Sequence, residues 1–140
     1  MYIYLVTIVA AWIVSQGSKY IIMAVRHSDI SSFRHLYLSG NMPSAHTAAV
    51  ISLATVVGLR EGFESAVFGI AVLLAGIVMY DAVMVRRSSG EQGIAIQQLI
   101  REQKSTVLTP RAAKGHTPME VAVGALVGLA IGLVVYIATQ

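Results

Sequence analysis

Two histidines stand where chemistry could begin. His46 closes Pro43-Ser44-Ala45-His46, just ahead of an apolar run that continues to Leu59. His116 lies in Gly115-His116-Thr117-Pro118, just ahead of another apolar run. One imidazole can attack phosphorus and a second can protonate the leaving oxygen. Glu120 follows His116 by four residues, so on a helix it sits one turn along on the same face. There it would accept the other ring N–H and keep the attacking nitrogen unprotonated, as the acid of a triad does. Lys19 and Arg26 share a face near the end of the first apolar run, and Asp81, Arg86 and Arg87 close the third. Such cations neutralise phosphate oxygens, and helix N-termini offer free N–H groups and a positive dipole end to an anion. The set is coherent for phosphate.

Each residue also has a plainer reading. Either histidine alone can be an ordinary helix-start residue, and Glu120 a first-turn dipole partner. Lys19 and Arg26 can snorkel toward lipid headgroups. Asp81 is costly in an apolar segment unless it is paired or faces a polar cavity. Arg86 and Arg87 lie five and six positions beyond it, out of line on an α-helix, so its partner is expected on another helix. The two histidines with Asp81 and Glu120 are also a donor set of the carboxylate–histidine kind that binds metals.

The elements that must hold these residues are apolar. Across 140 residues, 56% are hydrophobic and 12% charged, and mean hydropathy is +0.70. Ordinary soluble domains are about 25% charged. The chain therefore reads as one integral membrane domain, residues 1–140. The net charge of +3 lies between apolar runs rather than along a soluble face, which argues against nucleic acid. With no cysteine, disulfides, thiolate catalysis and cysteine metal sites are excluded.

Four apolar runs occur, over 2–25, 43–59, 67–85 and 118–138, and predict a four-transmembrane-helix all-α bundle. The first lacks a preceding basic segment and a clear small-x-small cleavage site, so it reads as a retained span. The second is short for a crossing, about 25 Å. Between the third and fourth runs, residues 91–104 have helical spacing of Ile96, Leu99 and Ile100, which predicts a short amphipathic interfacial helix. Gly124, Gly128 and Gly132 repeat every four residues and form a smooth strip. That strip would seal the bundle or join two copies as a homodimer.

Four crossings put the segments after the first and third runs on one side. They carry Arg26, Arg34, Arg86, Arg87, Arg101, Lys104, Arg111 and Lys114. The excess of positive charge on cytoplasmic loops then places them inside and both termini outside. The proposed phosphate residues fall at the same face.

Pro43-Ser44-Ala45-His46 resembles the Pro-Ser-Gly-His motif of the type 2 phosphatidic acid phosphatases, which share an active site with vanadium haloperoxidases. That family's first motif is a lysine, six residues, then Arg-Pro; Lys19 and Arg26 have this spacing, with His27 in the proline's place. Its third motif ends in histidine, three residues, then aspartate; His116 and Glu120 are similar, with glutamate substituted. The arginine that opens the third motif is replaced by Pro110, and Arg111 is one position off. The resemblance is therefore to a divergent, short branch. Met79-Tyr80-Asp81-Ala82 through Arg86-Arg87, and Gly115 to Pro118, look characteristic of it. It covers 39–132 well and the first helix loosely.

The resemblance implies a metal-independent lipid phosphate phosphatase with no cofactor. His116 would be the nucleophile forming a phosphohistidine, Glu120 its orienting acid and His46 the general acid. Lys19, Arg26 and Ser44 would bind phosphate, with Arg86, Arg87 or Arg111 replacing the missing arginine. The expected substrate is a phospholipid phosphate such as phosphatidylglycerophosphate, or a polyprenyl (pyro)phosphate, in the inner or plasma membrane. The alternative is a non-catalytic oligomeric membrane protein whose basic pocket binds anionic lipid headgroups.

Overall fold

The computed structural model describes residues 2–27, 42–112 and 115–140. The connection 28–41, with Arg34 and His35, and residues 113–114, with Lys114, lie outside the described residues, as do the side chains of Arg26 and His27. Among the described residues, helices are the only regular elements: α1 (Tyr2–His27), α2 (Ala45–Glu61), α3 (Ala66–Tyr80), a π-helical turn (Asp81–Val85), α4 (Arg86–Glu102) and α5 (Pro118–Ala138).

Three helices are long and apolar enough to cross a membrane, Tyr2–Val25, Ala66–Glu102 and Pro118–Ala138. The protein is thus an integral membrane protein, but the expected four-transmembrane-helix bundle is not what forms. The shorter α2, 17 residues, is the central element and packs against α1, α3 and α5. Its buried positions are mostly small, among them Ala45, Thr47, Ala48, Ser52 and Ala54. Small side chains let helix backbones approach, which is how association proceeds where lipid removes the hydrophobic drive. Large apolar residues such as Leu5, Ile70 and Leu126 point outward instead.

The separate amphipathic helix between helices 3 and 4 is also overturned. α3, the π turn and α4 form one continuous rod of 37 residues, Ala66–Glu102. At 1.5 Å per residue it is about 55 Å long, well beyond a hydrocarbon core of roughly 30 Å. Arg86-Arg87-Ser88-Ser89-Gly90 resembles a break, yet it contains no proline and nothing caps an end there. Gly90 and Gly93 are buried, and Gly93 has the Cα of Ala112 3.1 Å from where a Cβ would stand. The returning chain is fastened to α4 by Gln97 Nε2, which donates to the Pro110 carbonyl at 2.7 Å.

The strip Gly124, Gly128 and Gly132 faces α2 of the same chain. An added Cβ would stand 2.7 Å from the Ser44 carbonyl oxygen, 2.4 Å from that of Ala48 and 2.7 Å from Thr55 Cβ, respectively. The strip therefore seals the bundle, and this buried face is not open to a second copy. At the far end, Tyr4 donates to Glu61, and Arg60 Nη2 donates to the Thr139 carbonyl at 2.6 Å. Both chain termini thus meet the α2–α3 turn, and every candidate site element lies at the opposite end. Gly62, with φ of +90°, allows the sharp exit from α2.

Candidate phosphate site

α1 presents Thr7, Ala11, Ser15 and Lys19 to the bundle, each one turn beyond the last and each buried. Lys19 ends that row at 9% exposure, within electrostatic reach of Glu120 and both histidines. Arg26 occupies the last turn of the same helix.

Ser44 caps α2. Its Oγ accepts the Thr47 N–H at 3.4 Å and the Thr47 hydroxyl at 2.9 Å, and the residue is fully buried. Its own N–H donates to the Glu120 carbonyl at 3.2 Å, tying the start of α2 to the first turn of α5. Ser44 is thus placed inside the packing, and its hydroxyl serves the cap. His46, two residues on, is exposed and feels Arg86, Lys19 and Asp81.

α5 begins with a capping box. The Thr117 hydroxyl accepts the Glu120 N–H at 3.3 Å, and Glu120 Oε2 accepts the Thr117 N–H at 2.9 Å. Pro118 fills the first turn, where its missing N–H is not needed. The same Oε2 stands 4.0 Å from His116 Nδ1, with both side chains nearly buried at 11% and 13%. Glu120 therefore caps the helix and faces the imidazole at once. Burial, and then the Lys19 ammonium, hold His116 below its ordinary value of 6.5, while Glu120 pulls the other way. A neutral imidazole is the form that can attack.

The three candidate arginines separate. Arg86 acts on both histidines and is held by Asp81 at 2.5 Å. Arg87 turns to Glu91 at 3.1 Å, and Arg111 is exposed in the segment after α4. Arg87 and Glu91 border a cavity of about 420 Å³ that reaches His116 and Thr117. The expectation that Asp81 pairs with another helix is overturned. In the π turn the Arg86 N–H bonds to the Asp81 carbonyl, so residues five apart share a face.

Other contacts escaped the sequence reading. The His116 N–H donates to the Ala82 carbonyl at 3.0 Å. Gly115 lies against Arg87, whose Cα would be 2.4 Å from an added Cβ. The glycine directly before His116 was the available signal. Among the described residues, no group of three or more His, Cys, Asp or Glu is placed to hold a metal ion.

Residues 2–131 match the family model described as the Divergent PAP2 family. The chain belongs to that family. It is also 38% identical over 111 residues, 69% of this chain and 70% of the other, to an uncharacterised membrane protein, YuiD, of Bacillus subtilis (strain 168). No solved structure matches the chain. Family membership accords with the resemblance drawn from the ordered motifs between Lys19 and Glu120.

Proposed function

We propose that this membrane protein is a phosphatase acting on a lipid phosphate through a phosphohistidine on His116. One observation carries the reading: two histidines from separate helix starts share one end of the bundle with Lys19 and Arg86, each within electrostatic reach of His116. Lys19 and Arg86 hold the phosphoryl oxygens, with Arg26 as a further cation from the end of α1. Their charge counters what builds on those oxygens in the transition state. The neutral His116 attacks phosphorus as the P–O bond to the lipid breaks, and the leaving oxygen takes its proton from His46. Glu120 steadies the imidazolium-like ring through Nδ1. Water then attacks the phosphohistidine and gives its proton to His46, and inorganic phosphate leaves.

Membrane embedding favours a lipid substrate such as phosphatidylglycerophosphate or a polyprenyl phosphate. Basic segments gather at the site end, which favours the cytoplasmic leaflet. The deciding experiment presents a panel of lipid phosphates to the purified protein in EDTA, with and without vanadate. Phosphate release that vanadate blocks and His116→Ala abolishes is the expected result. Full release by His116→Ala would sink the mechanism. No turnover on the panel, with indifference to vanadate, would favour a headgroup-binding protein without catalysis.

A further inference from the structure

The five residues Asp81–Val85 connect the candidate cation to the candidate nucleophile. They form a π turn inside an otherwise α-helical rod. Such turns are rare and recur at functional sites. Here the widened winding has two separate consequences.

The first concerns Arg86. On an α-helix, residues five apart diverge by about 140°. The π winding closes that angle, and Arg86 Nε donates to Asp81 Oδ2. The second concerns His116. In α winding the Arg86 N–H would serve the Ala82 carbonyl. It serves Asp81 instead, so the Ala82 carbonyl lacks its usual helical partner and accepts the His116 N–H. A buried carbonyl needs such a partner, and Ala82 is 6% exposed. Gly115 lets the two backbones come this close, since a Cβ there would stand 2.5 Å from the Arg87 nitrogen.

We propose that this π turn is the positioning element of the site. It fixes Arg86 through the Asp81 carboxylate and the His116 segment through the Ala82 carbonyl. A phosphate-holding cation and an attacking imidazole thereby keep one geometry toward the same phosphoryl group. Asp81 is then a positioning residue that acts through Arg86. The proposal rests on the phosphatase reading above.

The two anchors can be removed one at a time. Asp81→Asn releases Arg86 and leaves the turn. Deleting Met84, which is 53% exposed, returns the turn to α winding. Asp81 and Arg86 then lie four apart and still share a face, and α4 keeps its phase. The Ala82 carbonyl regains a helical donor, so only the His116 anchor is lost. Should the deletion not fold, Gly115→Ala pushes the same segment away from Arg87 by another route.

The experiment measures kcat, KM and vanadate inhibition on lipid phosphates for the full chain and these variants, with Asp81→Glu and His116→Ala alongside. Asp81→Asn should raise KM and weaken vanadate roughly tenfold, the loss of one charge-assisted hydrogen bond, with partial rescue by Asp81→Glu. Deleting Met84, or Gly115→Ala, should lower kcat about a hundredfold with little change in KM, as expected for a misplacement near one ångström. Wild-type kinetics in Asp81→Asn and in a folded Met84 or Gly115 variant would overturn the proposal alone, provided His116→Ala is inactive. If the wild type hydrolyses nothing, or His116→Ala hydrolyses normally, the phosphatase reading falls and takes this proposal with it.

Discussion

Asp81 and Arg86 pair at 2.5 Å within one rod although they lie five positions apart. The π turn makes this contact, and the Arg86 charge is felt by both histidines. Arg86→Ala should cut kcat/KM by about a hundredfold or more, the scale on which one transition-state donor acts. Arg87→Ala breaks only an exposed pair with Glu91 and should stay within a few-fold of wild type. Equal losses in the two variants would remove the distinction between them.

The acid limb of kcat/KM should lie below the ordinary histidine value of 6.5, because burial and Lys19 both disfavour the His116 imidazolium. The sign follows from the base form being the active one. A lowered value keeps the ring neutral as pH falls past 6.5, so activity fades only further down. Glu120 acts oppositely, raising the value. Glu120→Gln should therefore move the acid limb to still lower pH while lowering kcat. An upward shift of that limb in pH–rate profiles would contradict the assignment of Glu120 as the neighbour His116 feels.

The helix starts that carry the candidate residues were legible because such signals are local in sequence. Pro118 with Thr117 and Glu120 announces α5, and the structure begins it at Pro118. The fold was less legible at two places. α2 reads as a span by its apolar run, yet its small side chains make it the centre of the packing, a tertiary fact that hydropathy does not carry. Residues 86–90 separate the third apolar run from the amphipathic stretch in hydropathy, but charged residues continue a helix readily when no proline or cap intervenes. The π turn hid in the same way. A five-residue acid–arginine spacing looks misaligned only if α winding is assumed.

The glycine strip makes a stability prediction. Gly128→Ala places a Cβ 2.4 Å from the Ala48 carbonyl oxygen, so α5 must move off α2. Overpacking of this kind costs about 1–3 kcal/mol. Gly76→Ala in α3 meets nothing within 4 Å and should leave stability unchanged or raise it slightly. Thermal unfolding of both variants in the same detergent checks the pair. A Gly128→Ala protein as stable as wild type would mean that α2 and α5 do not pack this closely.

His46 offers the last prediction, because its proposed task depends on the leaving group. It starts α2 beside Lys19, Asp81 and Arg86, while the His116 segment is fastened to Ala82 across the site. If His46 protonates the departing oxygen, His46→Ala should slow hydrolysis of an alkyl lipid phosphate by about 10²–10⁴-fold, the usual worth of general acid catalysis. A substrate with an acidic phenol leaving group needs no such proton and should lose far less in kcat/KM, which reports the step that forms the phosphohistidine. With that substrate, breakdown of the phosphohistidine becomes limiting, so the intermediate should accumulate in His46→Ala as acid-labile, base-stable phosphate on the protein. Equal slowing of both substrates, with no trapped intermediate, would assign His46 to phosphate binding instead.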